Sequence, residues 1–187
     1  MSWRVKGVLF VDYVRMLRAH RDRSWSKYLH PDDLVFLAQT IEPSEWYPME
    51  TFERMGIAIL HVIAGSDLDL VRRFGHAQVA HVAGTVEDLI VPKDPRESLM
   101  RFQVYRRSFF DFEALSVLQL DDSAAELKLS YGMSPVAEEA ASIQTQGFFE
   151  GLIELADGAT IVAAFTQRSW SGDSRTVLRL EWNLPDD

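Results

Sequence analysis

The side chains able to do chemistry are few and dispersed. His20, His30, His61, His76 and His81 are the candidates for proton transfer or metal ligation. His76 and His81 lie five residues apart, which on a helix turns them about 140° from each other, so they cannot chelate as an i, i+4 pair would. His61 lies in an apolar run, 57–63, and reads as a hydrogen-bonded core histidine. There is no cysteine, which removes thiolate nucleophiles, disulfides, zinc ribbons and iron–sulfur clusters together. The neighbouring carboxylates Asp121 and Asp122 fall at an expected turn, and Glu138 and Glu139 at an expected helix start, where local electrostatics accounts for them. No phosphate-binding glycine loop, dinucleotide fingerprint, HExxH or GxSxG motif is present. The reading is therefore no enzyme, no metal and no cofactor.

Aromatic residues are more suggestive. Trp46, Tyr47 and Pro48 form a bulky elbow, and Phe102, Tyr105, Phe109, Phe110 and Phe112 crowd one segment. Such density makes either core or the wall of an apolar pocket with a few polar groups. The pocket reading places a cavity between the Trp46 elbow, the helix around Phe74 and a sheet near Tyr131. Its walls are Trp46, Tyr47, Phe74, Phe102, Tyr105 and Tyr131, with Tyr105, Arg106 or His76 fixing one polar end of a guest.

The elements that must position these residues follow from periodicity. Residues 113–120 and 124–131 read as a hairpin, with Leu127 and Leu129 alternating against Glu126, Lys128 and Ser130. The period then changes, and Val136, Ala140, Ile143, Gly147, Phe148, Gly151, Leu152 and Leu155 form one stripe of a helix over 136–156. Gly147 and Gly151 are expected to let that helix approach the sheet. A second hairpin, 160–170 and 175–182, completes a ββαββ unit. The front reads as helices at 8–19, 31–39, 49–64, 67–83 and 96–110, with Ser66 and Asp69 as a capping box for the fourth. The fold class is α+β: an N-terminal helical layer packed on a four-stranded antiparallel sheet. With no repeat or linker-like stretch, residues 1–187 read as a single domain, 1–112 helical and 113–187 the sheet part.

Charge is uneven. Residues 1–112 hold 15 Lys and Arg against 15 Asp and Glu, whereas 113–187 hold 4 against 13, so the net charge of -9 belongs to the sheet half. That half repels nucleic acid. Basic clusters at Arg15, Arg18, Arg21, Arg23 and Lys27, and at Arg96, Arg101, Arg106 and Arg107, could hold an anion, with Asp12, Asp22, Glu97 and Asp111 near enough to neutralise part of each. No apolar run approaches the roughly 20 residues of a membrane span, and a cytoplasmic location is the default.

Several short stretches carry a resemblance: Val5-Lys6-Gly7-Val8-Leu9-Phe10, Trp46-Tyr47-Pro48, Phe109-Phe110-Asp111, Gly147-Phe148-Phe149-Glu150-Gly151, and Gly172-Asp173 with Leu180-Glu181-Trp182. Together they resemble an uncharacterised paralogous family expanded in myxobacteria. That family is similar in plan to the haem-binding nitric oxide sensors, the vinyl reductase (4VR) small-molecule-binding domains and the Bet3-type vesicle-tethering subunits. The resemblance implies their scaffold without their metals. The sensors' Tyr-x-Ser-x-Arg motif is missing near Leu127, Leu129 and Tyr131, no histidine follows Val82, and positions near Arg168 and Thr176 cannot ligate zinc.

Two functions fit. One is a sensory or regulatory signalling module binding a small hydrophobic molecule between helices and sheet. The other is a module with a filled core that dimerises or docks a protein partner.

Overall fold

The computed structural model describes residues 3–184. Strand β1 (Arg4–Lys6) leads into helix α1 (Gly7–Ala19), followed by α2 (Pro31–Ala38), β2 (Trp46–Pro48), α3 (Met49–Ala58), α4 (Leu68–Thr85) and α5 (Pro95–Tyr105). The back half runs β3 (Leu115–Leu120), β4 (Ala124–Leu129), α6 (Pro135–Leu155), β5 (Ala159–Gln167) and β6 (Thr176–Asn183). Its four strands form an antiparallel sheet in the order β3-β4-β6-β5. The expected α+β plan, helices over a four-stranded antiparallel sheet, is present. Leu127, Leu129, Leu178, Leu180 and Trp182 turn inward from the sheet and join one core with Phe10, Leu17, Met55, Phe102, Phe149 and Leu152. Arg179 lies outward, bonded to Glu181 at 2.7 Å and Glu126 at 3.3 Å.

Helix α6 departs from a one-sided stripe. From Gln146 to Ile153 it is buried all round, whereas Val136 and Leu155 at its ends are exposed. It is sandwiched between α4 and the sheet, and a helix covered on both sides has no wet face to display. Gly147 and Gly151 do permit a close approach, but to α4: a Cβ on Gly147 would lie 1.9 Å from the Arg72 carbonyl oxygen, and one on Gly151 would lie 2.9 Å from Val79. Gly75 of α4 answers from the other side, where a Cβ would lie 1.8 Å from the Gln144 carbonyl oxygen. Arg72 forks onto Glu150 across this crossing at 2.7 and 2.8 Å.

Other local expectations are corrected. The Trp46-Tyr47-Pro48 elbow is a strand, pairing Lys6 with Trp46 and Val5 with Tyr47. The third helix stops being α-helical at Ala58 and widens into a π turn, Ile59–Ile63, with the Ala64 amide donating to the Ile59 carbonyl at 2.8 Å. That turn presents His61 outward, bonded to Ser66 at 2.9 Å, so His61 is not core. Ser66 is thereby occupied, and Asp67 caps α4 instead, accepting from the Asp69 and Leu70 amides. Among the described residues no helix is long and apolar enough to cross a membrane.

One buried carboxylate fastens α2 to α3. Asp33, 1% exposed, accepts from Thr51 at 2.7 Å, from Arg54 at 2.7 and 2.8 Å, and from the His30 amide at 2.8 Å. Burial pushes this carboxyl up, yet the bonds from Arg54, Thr51 and His30 outweigh it and hold the group at about 2. Because the folded value lies below the unfolded one, the stabilisation is full above about pH 4 and is lost as pH falls toward 2. Asp33→Asn is expected to cost about 3 kcal/mol at neutral pH, since Arg54 loses its partner. It should also remove roughly 1 kcal/mol of acid sensitivity between pH 7 and pH 3. Urea unfolding at pH 7 and pH 3 checks both; parallel pH profiles for variant and parent would contradict the assignment.

Candidate functional site

A cavity of about 70 Å³ lies where α1, α3, α4, α5 and α6 meet the start of the sheet. Helix α6 contributes Ala141, Gln144, Thr145, Phe148 and Phe149, while α1 adds Leu9 and Tyr13, α3 Phe52, and α4 Gln78 and Val82. The remaining wall is Phe102, Phe109, Phe110, Leu115 and Tyr131. Eight of the fifteen lining residues are aromatic and none is an acid, a base or a histidine, so the surface offered to a guest is apolar.

The wall is held from two directions. The 109–111 segment is pinned by β1: the Lys6 amide donates to the Phe109 carbonyl at 2.8 Å, the Asp111 amide to the Arg4 carbonyl at 3.2 Å, and Arg4 returns two bonds to the Asp111 carboxylate. Tyr131 is fixed by Glu138, a buried acid of α6 that accepts from the Tyr131 and Met133 amides. The role of Glu138 is therefore to anchor the loop between β4 and α6.

Polar atoms at the cavity already have partners. Tyr13 donates to Gln144 at 2.6 Å, Gln144 to Gln78 at 3.2 Å, and Gln78 to Asp12 at 3.2 Å. Thr145 spends its proton on the Ala141 carbonyl at 2.8 Å, so in the 2.5 Å contact between the two hydroxyls Tyr131 is the donor. Burial pushes both phenols well above their ordinary value. They stay neutral, and neither has a free proton to give a guest.

A second, outer hollow of about 420 Å³ adjoins the first and is lined by Phe102, Arg106, Arg107, Phe109, Phe110, Asp111, Phe112, Glu113, Ala114 and Leu115. The two share Phe102, Phe109, Phe110 and Leu115 as a partition.

Of the residues singled out from sequence, Phe102 and Tyr131 line the inner cavity and Arg106 the outer hollow. Tyr105 is half-buried beside them without lining either. The others lie elsewhere. Trp46 receives Lys6 over its ring at 4.5 Å. Tyr47 is core, stacked on Phe10 at 4.5 Å with its hydroxyl accepting from the Glu42 amide. Phe74 packs with Leu60, Val71 and Ala140. His76 faces outward, 2.6 Å from Glu154. Sequence reasoning missed Tyr13, Phe52, Gln144 and Phe149. A usable signal was the pair Phe148 and Phe149, since two adjacent large rings on a helix cannot both sit on one stripe.

A structure of an H-NOX protein from S. oneidensis in the Fe(II)NO ligation state is similar over 95% of this chain and 99% of that one, with a TM-score of 0.64 and 14% identity. The chain has the H-NOX fold. A T. tengcongensis H-NOX structure matches with a TM-score of 0.60 and 14% identity over 97% and 100% of the two chains. An oxygen-binding H-NOX domain related to soluble guanylate cyclases, in its oxygen complex, matches with a TM-score of 0.62 and 14% identity over 97% of each. No family model and no curated protein matches the chain.

The H-NOX fold implies haem, since its members are described by their haem distortion. The residues here do not fit that group. A cavity of about 70 Å³ holds roughly two waters, far below a cofactor-sized site of about 300 Å³ or more. Of the usual axial ligands only tyrosine is present, and both phenols are held neutral. Among the described residues no guanidinium or ammonium lines the inner cavity. After Tyr131, Met133 and Pro135 stand where a Tyr-x-Ser-x-Arg motif would have serine and arginine. Among the described residues no three His, Asp or Glu side chains come together as a metal site requires.

Proposed function

We propose that this chain is a non-catalytic sensory or regulatory module that holds a small apolar molecule, without haem, between its helices and its sheet. The observation that carries the reading is the cavity itself: a void walled by eight rings, with every hydroxyl at its edge already bonded. Such a surface gains from an apolar guest, and it offers no nucleophile–base pair for turnover. H-NOX structures in oxygen- and NO-ligated states supply a precedent for a small guest within this fold.

A calorimetric titration of the purified chain with benzene tests this. Saturable binding is expected, together with its loss in Ala141→Leu, which places a larger side chain into the void from α6. If the space is filled in solution, benzene does not bind and Ala141→Leu instead costs about 1 to 3 kcal/mol by overpacking. That outcome overturns the reading in favour of a filled interaction module. Retention of haemin through gel filtration, with a Soret band sensitive to Tyr131→Phe, would overturn the haem-free form of it.

A further inference from the structure

The basic clusters of this chain are almost fully consumed by the fold. Arg15 reaches Asp12, Arg23 reaches Asp22, Arg96 reaches Asp122 and Arg101 reaches Glu97. Arg18 is spent on the carbonyls of Phe36, Leu37 and Gln39. Arg21 is exposed and Lys27 lies over the Tyr28 ring at 5.5 Å, so each stands alone at the surface, whereas Arg106 and Arg107 share one hollow. They follow α5 on a 3-10 turn, Arg106–Ser108, and both line the outer hollow. Among the described residues the Arg106 side chain bonds only the Gln103 carbonyl, and the Arg107 side chain makes no hydrogen bond or ion pair. The acid expected to neutralise them, Asp111, is committed to Arg4 at 2.7 and 2.8 Å. Among the described residues Glu113 is then the one uncommitted acid lining the hollow, against two guanidiniums. The balance suits one negative charge.

Behind these charges stands the partition of Phe102, Phe109 and Phe110, with Phe112 edge-on to Phe110 at 5.6 Å. A flat apolar body can lie against this partition while its anionic end stays at the rim.

We infer that the outer hollow is a second ligand site, for a monocarboxylate on a compact aromatic body: the carboxylate sits on Arg106 and Arg107, and the ring against the outer side of Phe102, Phe109 and Phe110. It goes beyond the proposed binding function by adding a site across the partition from the apolar cavity. Guanidinium supplies the paired donors that a planar carboxylate accepts, and such charge-assisted bonds are the strong ones.

The test is a matched pair, 4-phenylbutyrate and 4-phenylbutan-1-ol, titrated calorimetrically into the intact chain. The acid is expected to bind about tenfold tighter than the alcohol, with the preference shrinking as salt rises. Arg106→Ala combined with Arg107→Ala should bring the acid down to the alcohol's affinity and leave the alcohol's within about twofold. The milder Arg107→Gln, which preserves the length of the side chain, should lose about a third to a half of the preference on a logarithmic scale. Equal binding of acid and alcohol, or a preference that survives in the double variant, overturns the second site and leaves the apolar cavity standing. Failure of both compounds and of benzene to bind overturns the two together.

Discussion

Gly147→Ala is expected to destabilise the protein by about 3 kcal/mol or more, although glycine to alanine in a helix ordinarily stabilises by about 1 kcal/mol. The added methyl would lie 1.9 Å from the Arg72 carbonyl oxygen and 3.1 Å from the His76 amide nitrogen, both backbone atoms of α4. Neither can retreat without breaking α4's own hydrogen bonds, and α6 cannot retreat because the sheet lies behind it. Gly84 supplies the control. It sits on α4 with nothing within 4 Å of its Cβ position, so Gly84→Ala should raise stability by up to about 1 kcal/mol. Urea unfolding of the two variants should therefore give midpoints displaced in opposite directions. Equal midpoints would mean that the two helices do not cross as closely as described.

Phe149→Ala is the second large effect. Phe149 is fully buried, edge-on to Phe102 at 5.0 Å and to Phe148 at 5.6 Å, and it forms part of the cavity wall. Its truncation should cost about 4 kcal/mol through lost transfer energy and an enlarged void. Part of that loss is expected to return on adding benzene, because a ligand that binds only the folded state stabilises it by mass action. A variant that loses stability but gains nothing from benzene would show that the neighbouring rings collapse into the space.

The plan of the back half was legible because its signal is local and long. Alternation in β4 and β6 and a helical period of about six turns in α6 each span enough residues to be read without knowing the neighbours. Strands β1 and β2 were not legible. They are three residues each and pair across some forty positions, so neither carries a period of its own. The site was readable by residue type but not by location. Phe102 and Tyr131 were found in a crowded segment and at a strand end, whereas Tyr13 and Phe52 look like ordinary core residues of their helices until a gap opens beside them. His76 invited a binding role by its chemistry, yet its position on α4 turns it toward Glu154 at the surface. A void is the mismatch between several elements, and no single element's sequence records it.

The pinning of the 109–111 segment by β1 also sets an order of events. The Arg4 to Asp111 bonds join positions 107 apart, whereas the helices between them close on neighbours a few residues away. Such a distant closure costs little extra in equilibrium stability, because loop entropy grows only logarithmically with length, but it weighs on the rate. During synthesis β1 can pair with β2 once residues 46–48 have emerged, but its contact with the 109–111 segment must wait for a stretch of chain made much later. The partition between the two hollows is thus completed late, and a guest can only reward the chain near the end of its folding.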